Sequence, residues 1–132
     1  MTHAAEMLQT SPTQPRFDRD ALARCIEECF ACAQSCTACA DACLGEEGVD
    51  HLVRCIALNV TCADVCDATG RALSRTLTAD EAAVRSLVEA CAEACAACGA
   101  ECEQHASMHE HCRVCADACR ACERSCRELL AA

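Results

Sequence analysis

The sequence contains almost no large aromatic residues. Its 132 residues include two Phe and neither Trp nor Tyr. Aromatic side chains normally supply much of the buried area of a domain of this size, so a conventional core is not expected. No stretch alternates β-branched and polar residues, and no strand is predicted. The fold prediction is therefore all-α.

Basic charge is also scarce. The chain has 11 Lys and Arg against 21 Asp and Glu, a net charge of −10. This excludes an extended basic surface for nucleic acid or anionic lipid. No uncharged apolar run approaches the ~20 residues of a membrane span. Residues 1–16 lack the apolar segment of a signal peptide, which predicts a cytoplasmic location.

Cysteine is abundant, with 18 residues. They form four groups along the chain, of six, three, four and five residues. Within each group the steps are three or four residues, apart from one step of seven between Cys55 and Cys62. Such steps place each group on one helix face, the seam that usually carries Leu or Ile. Neighbours at these spacings have Cβ atoms ~5–6 Å apart, whereas a disulfide needs ~3.8 Å, so disulfides within one helix are excluded. A reducing cytosol favours metal binding over disulfides between helices. The predicted ligands are Cys25, Cys29, Cys32, Cys36, Cys39, Cys43, Cys55, Cys62, Cys66, Cys91, Cys95, Cys98, Cys102, Cys112, Cys115, Cys119, Cys122 and Cys126.

Four long helices are predicted, joined by short connections that make consecutive helices antiparallel. The expected fold is an up-down-up-down four-helix bundle over residues 17–132. Residues 1–16 are expected to be a flexible tail with at most one short helix. Asp18 is the expected N-cap of the first long helix, and Thr78 and Ser107 open predicted capping boxes. The predicted helices span residues 18–44, 49–75, 79–106 and 108–130.

The two ends of this bundle differ in sequence. One end is predicted to be an apolar plug, formed by Leu22, Thr69, Leu73, Val84, Val88 and Leu129. The opposite end, called the mouth, receives His51, His105, His109 and His111. We predict His105, His109 and Met108 as ligands there, whereas His111 is expected to be solvated.

Asn59 lies on the seam at a position where the spacing calls for cysteine. Two interpretations remain open. It is either a register-fixing polar residue or an oxygen ligand or hydrogen-bond partner of nearby thiolates.

The number of thiols favours Cu(I) as the bound metal. Soft thiolates select Cu(I), which accepts two-coordinate geometry. If each ion binds two thiolates and each thiolate bridges two ions, the ratio is about one Cu(I) per cysteine and the charges cancel. A closed four-thiolate Zn²⁺ site keeps a net charge of −2, which is costly to bury. Sequestration of zinc or another soft metal remains an alternative.

The four cysteine-lined segments, the missing export signal and the cluster from His105 to His109 resemble the cytosolic class of bacterial copper storage proteins. The resemblance covers residues from about 18 to 130. It implies a helical bundle that stores many Cu(I) ions without catalysis, commonly as a homotetramer. The cysteines would be core ligands, and His105 and His109 mouth ligands. Partners would be copper ions and proteins that donate or accept them. A copper chaperone is the other alternative, but a chaperone needs one exposed site.

Overall fold

The computed structural model describes residues 1–75 and 80–132. Within these residues all regular structure is helical, which confirms the predicted all-α class. None of the described helices combines the length and apolar character needed to cross a bilayer. The elements are α1 (Ala4–Thr10), α2 (Arg19–Leu44), a 3₁₀ turn (Val49–His51), α3 (Val53–Leu73), α4 (Glu81–His105) and α5 (Glu110–Ala131).

The four long helices form a closed square. Each packs against its neighbours in sequence, and α5 returns to pack against α2. Helices α2 and α5 are antiparallel, because Cys25 Sγ lies 3.7 Å from Cys126 Sγ while Cys39 Sγ lies 3.9 Å from Cys112 Sγ. The same reversal relates α3 to α4. Cysteine-bearing faces of all four helices thus meet on one axis.

The predicted cap of α2 is present. Asp18 accepts a hydrogen bond from the Ala21 amide at 3.0 Å. At α4, the N-cap is Asp80, whose side chain accepts from the Ala83 amide at 3.2 Å. The predicted capping box began at Thr78, which lies outside the described residues together with Ala79.

Helix α5 begins two residues later than predicted. The amides of Met108 and His109 donate to the His105 carbonyl at 3.1 and 2.9 Å, so the chain turns back on the end of α4. The backbone becomes extended only at His109, the observed N-cap, with φ −134° and ψ 113°. Ser107 is therefore not the cap. Helix α3 likewise follows a 3₁₀ turn, since the His51 amide bonds to the Gly48 carbonyl at 2.9 Å.

The N-terminal segment lies along α2. Ala4 and Leu8 on α1 are both 8% exposed, because α1 packs against α2. The Thr2 amide donates to the Glu27 carboxylate, 3.0 Å from either oxygen. These contacts tie α1 to the outer face of the bundle, away from the sulfur-lined axis.

The plug is formed as the sequence predicts. Val84 is 8% exposed, and the remaining members are fully buried: Leu22, Thr69, Leu73, Val88 and Leu129. The Thr69 hydroxyl donates to the Val65 carbonyl at 2.7 Å, so its polar group is satisfied within α3. This end of the bundle is closed by hydrocarbon.

Candidate metal centre

All eighteen cysteine side chains lie in the interior. Each is at most 2% exposed, and none is joined in a disulfide. The inward placement follows from the three- and four-residue spacings, which keep one face of each helix on the bundle axis. The structure thus gathers the predicted thiols into one dry core.

The sulfur atoms lie close together across helices. Cys66 Sγ is 3.5 Å from Cys95 Sγ, and Cys36 Sγ is 3.6 Å from Cys119 Sγ. Metal–sulfur bonds of ~2.3 Å can span such separations. Groups whose sulfurs all lie within 4.8 Å of one another include Cys29/Cys91/Cys122/Cys126, Cys32/Cys66/Cys95/Cys122, Cys32/Cys36/Cys62/Cys119 and Cys36/Cys98/Cys115/Cys119.

These groups overlap. Cys32, Cys36, Cys119 and Cys122 each belong to two of them. A thiolate that completes one closed tetrahedral site is therefore also needed by the next. The arrangement suits sulfurs that bridge neighbouring ions better than a row of separate four-sulfur sites.

At the mouth end of the core, the metal-free thiol of Cys112 holds its proton. Burial raises the pKa of the Cys112 thiol to about 12. Desolvation disfavours the thiolate because its charge loses contact with water. A metal cation that enters must therefore displace a proton from such a thiol.

Asn59 is fully buried among thiols, as its place on the seam predicts. Its Oδ1 lies 2.9 Å from Cys115 Sγ and 3.2 Å from Cys98 Sγ, and accepts from both thiols. Its Nδ2 donates to the Cys55 carbonyl at 2.8 Å and lies 3.5 Å from Cys102 Sγ. Asn59 is thus a hydrogen-bond partner of thiols on α4 and α5. That Asn59 also binds a metal ion through its oxygen stays a prediction.

The two histidines predicted as mouth ligands are half-buried and paired with carboxylates. His105 Nε2 lies 2.8 Å from Glu101 Oε2, and His109 Nδ1 lies 2.6 Å from Glu46 Oε2. Neither ring makes a hydrogen bond to a sulfur within the described residues. Carboxylate partners of this kind orient imidazole ligands.

His111 was expected to be solvated, and this expectation is wrong. Its Nδ1 lies 3.4 Å from Cys39 Sγ and 3.6 Å from Cys112 Sγ. With Cys43 these residues form a fourfold group whose ligand atoms lie within 4.8 Å of one another. The available signal was spacing, because His111 precedes Cys115 by four residues and so continues the α5 seam.

The side chains of Met108 and His51 are exposed and do not lie in the cysteine core. Met108 is 75% exposed, because it lies in the turn before α5 and not on the first turn of that helix. His51 is exposed at the end of the 3₁₀ turn. The ligand role predicted for Met108 stays a prediction.

Acidic groups surround the mouth. Glu101 is 11% exposed and also pairs with Arg54, whose Nε lies 3.4 Å away. Hydrogen bonding from His111, aided by nearby His109, holds the pKa of the Glu46 carboxyl below its usual range. The mouth therefore presents carboxylates and imidazoles together, a donor set suited to cations.

A helical bundle with a continuous thiol interior and imidazoles at one opening defines a protein that sequesters soft metal ions. The family model described as copper storage protein matches residues 18–131. The chain belongs to the copper storage protein family. The match confirms the resemblance predicted from the sequence and, with it, the predicted copper storage function.

Solved structures agree with this assignment. The copper storage protein Ccsp from Streptomyces lividans, loaded with 10 copper equivalents, is 56% identical with a TM-score of 0.94, and the match covers 97% of this chain and 98% of that one. A five-copper form of this cytosolic protein is 60% identical with a TM-score of 0.84, covering 86% and 94%. Cu(I)-bound BsCsp3 of Bacillus subtilis is 37% identical with a TM-score of 0.72, covering 80% and 94%. A comparison with curated proteins gives no significant match.

Proposed function

We propose that this protein stores Cu(I) by binding about one ion per cysteine inside the bundle. The overlap of the four-sulfur groups carries this proposal, because shared sulfurs favour bridging thiolates. Eighteen cysteines in such an array would hold about eighteen ions. Separate tetrahedral sites would use the same sulfurs for only about four or five, at four thiolates each.

Charge balance supports a univalent metal. Every cysteine sulfur lies in the buried interior, where uncompensated charge is costly. One Cu⁺ per thiolate leaves no net charge, whereas tetrahedral zinc–thiolate sites leave an excess of negative charge. The copper contents of the related Streptomyces and Bacillus structures support the same cargo.

The proposed ligands are the eighteen cysteines, with Asn59 as an oxygen donor within the core. His105 and His109 would serve at the mouth, joined by His111, whose Nδ1 already lies 3.4 Å from Cys39 Sγ. Met108 would join them only after the turn before α5 rearranges, since its side chain is exposed.

The protein would act in the cytosol, as its Streptomyces lividans relative does. Its role would be capture and release of ions without turnover of a substrate. Donor and acceptor proteins for copper would be its partners, and homotetramer assembly is carried over from the family resemblance. The acidic surface, with a net charge of −10, does not suit a nucleic-acid partner.

Anaerobic titration with Cu(I) against a competing chelator tests the proposal. A break near eighteen equivalents would support bridged storage. Saturation at about four or five would indicate tetrahedral sites, and saturation at a single equivalent would indicate a chaperone. A parallel titration with Zn²⁺ should give far less tightly held metal, because bound zinc would leave its thiolate charge uncompensated.

A further inference from the structure

One carboxylate connects the loop after α2 to the start of α5. Glu46 Oε2 lies 2.6 Å from His109 Nδ1 and 3.0 Å from His111 Nε2. The two imidazoles are stacked, with ring centroids 5.6 Å apart and planes inclined by 19°. A single oxygen thus holds both rings at one edge of the mouth.

The contact with Glu46 determines which nitrogen of His111 faces the sulfurs. A carboxylate only accepts hydrogen bonds, so in the neutral ring Nε2 carries the proton and Nδ1 presents a lone pair. That Nδ1 lies 3.4 Å from Cys39 Sγ and 3.6 Å from Cys112 Sγ. Turning the ring over would place carbon atoms in both positions and lose both sets of contacts.

We propose that Glu46 is the positioning residue of the mouth, holding His111 so that its Nδ1 completes an outermost Cu(I) capture site with Cys39 and Cys112. This inference rests on the proposed storage function and names a residue that the pattern of cysteines and histidines does not reveal. His109, bound through Nδ1, would keep its Nε2 free for an ion approaching from solvent.

Glu101 provides a contrasting geometry at the same end of the bundle. It holds His105 Nε2 at 2.8 Å from one turn earlier on the same helix. Among the described residues, His105 makes no hydrogen bond to a sulfur. The Glu101–His105 pair therefore does not complete a thiol site. Glu46 instead joins two separate segments and aims a ring nitrogen at sulfur.

The test compares Glu46→Ala with Glu47→Ala. Glu47 is the next residue in the same loop, is exposed, and makes no ion pair with a histidine in the described part of the chain. Both variants remove one negative charge near the mouth, but only Glu46→Ala removes the hydrogen bond that orients His111. Cu(I) would be supplied anaerobically as its bicinchoninate complex, with uptake rate and final capacity recorded separately.

We expect Glu46→Ala to slow uptake about tenfold at unchanged capacity, the lower range for loss of an outer partner of a metal ligand. Glu47→Ala should match the parent protein. In a His111→Ala background, the effect of Glu46→Ala should be clearly smaller, because only the contact of Glu46 with His109 then remains to be lost. Equal rates for the Glu46 and Glu47 variants would overturn the proposal, as would an undiminished Glu46 effect without His111.

Nitrogen-15 NMR of the imidazoles gives a readout that general loosening would not reproduce. The metal-free parent protein should show His111 protonated at Nε2, and Glu46→Ala should mix the two tautomers. A proton on Nδ1 in the parent protein would contradict the proposed orientation. Low copper capacity in the parent protein would instead reject storage itself, so the two failures are distinguishable.

Discussion

The same four helices form both ends of the bundle, but one end is apolar and the other carries polar and ionisable side chains. At the plug, Leu22, Leu73 and Leu129 are fully buried and close the axis with hydrocarbon. At the mouth, His111 places a ring nitrogen 3.4 Å from Cys39 Sγ, and the Glu46 carboxylate pairs with both His109 and His111. With the function proposed above, the plug would set stability and the mouth would carry metal exchange. Substitutions at the two ends should therefore have different consequences.

The largest effect is expected from opening the plug. Leu73→Ala should lower the free energy of unfolding of the metal-free protein by about 3 kcal/mol, because it leaves a cavity in a fully buried site. Copper capacity should be unchanged. Chemical denaturation and Cu(I) titration measure the two quantities. A large loss of capacity with normal stability would break the proposed division between the ends.

Alkaline pH should loosen the mouth before the plug. The pKa of the Cys112 thiol is raised from an ordinary 9.0 to about 12. A raised pKa means that the folded state binds the proton more tightly. The resulting stability is present below pH 9.0 and is lost as pH rises toward about 12.

Amide hydrogen exchange of the metal-free protein at rising pH would follow this loosening. Exchange should increase at the start of α5 before it increases around Leu22. The copper-loaded protein should resist this change, because its thiolates have already lost their protons. Simultaneous opening of both ends would contradict the expected order.

An intermediate effect is expected inside the core at Asn59. Asn59→Ala should cost about 1–3 kcal/mol of unfolding free energy, since it removes buried hydrogen bonds and leaves their partners unsatisfied. Ser125→Ala is a milder comparison, because that buried hydroxyl donates within its own helix to the Cys122 carbonyl at 3.0 Å. Thermal denaturation of both metal-free variants measures the difference. Equal losses would mean that the contacts of Asn59 with thiols add nothing to stability.

The smallest effect on stability is expected at the mouth histidines. Replacing His105 and His109 together by Ala should change the rates of copper uptake and removal severalfold while leaving capacity almost intact. His51→Ala is the matched control, because His51 lies at the same end but is exposed. Chelator-driven removal of Cu(I) gives the rates. Unchanged rates in the double variant would show that ions do not pass these rings.

Much of the centre could be predicted because it follows helix periodicity. Spacings of three and four residues place Cys32 and Cys36 on the inner face of α2. The same spacings place Leu73 on the inner face of α3. All three residues are buried as expected. Predictions failed where the chain leaves regular structure. The turn on the His105 carbonyl delays the start of α5 and leaves Met108 exposed.

By itself, the sequence determined that helices would form and that every thiol would lie on their shared inner face, since residue spacing sets direction around a helix. Only the tertiary structure decided which sulfurs from different helices meet, as Cys66 and Cys95 do at 3.5 Å. It also decided that Glu46 reaches His111, a contact between residues 65 positions apart in the chain. Such contacts depend on how separate helices and loops pack, which no local spacing records.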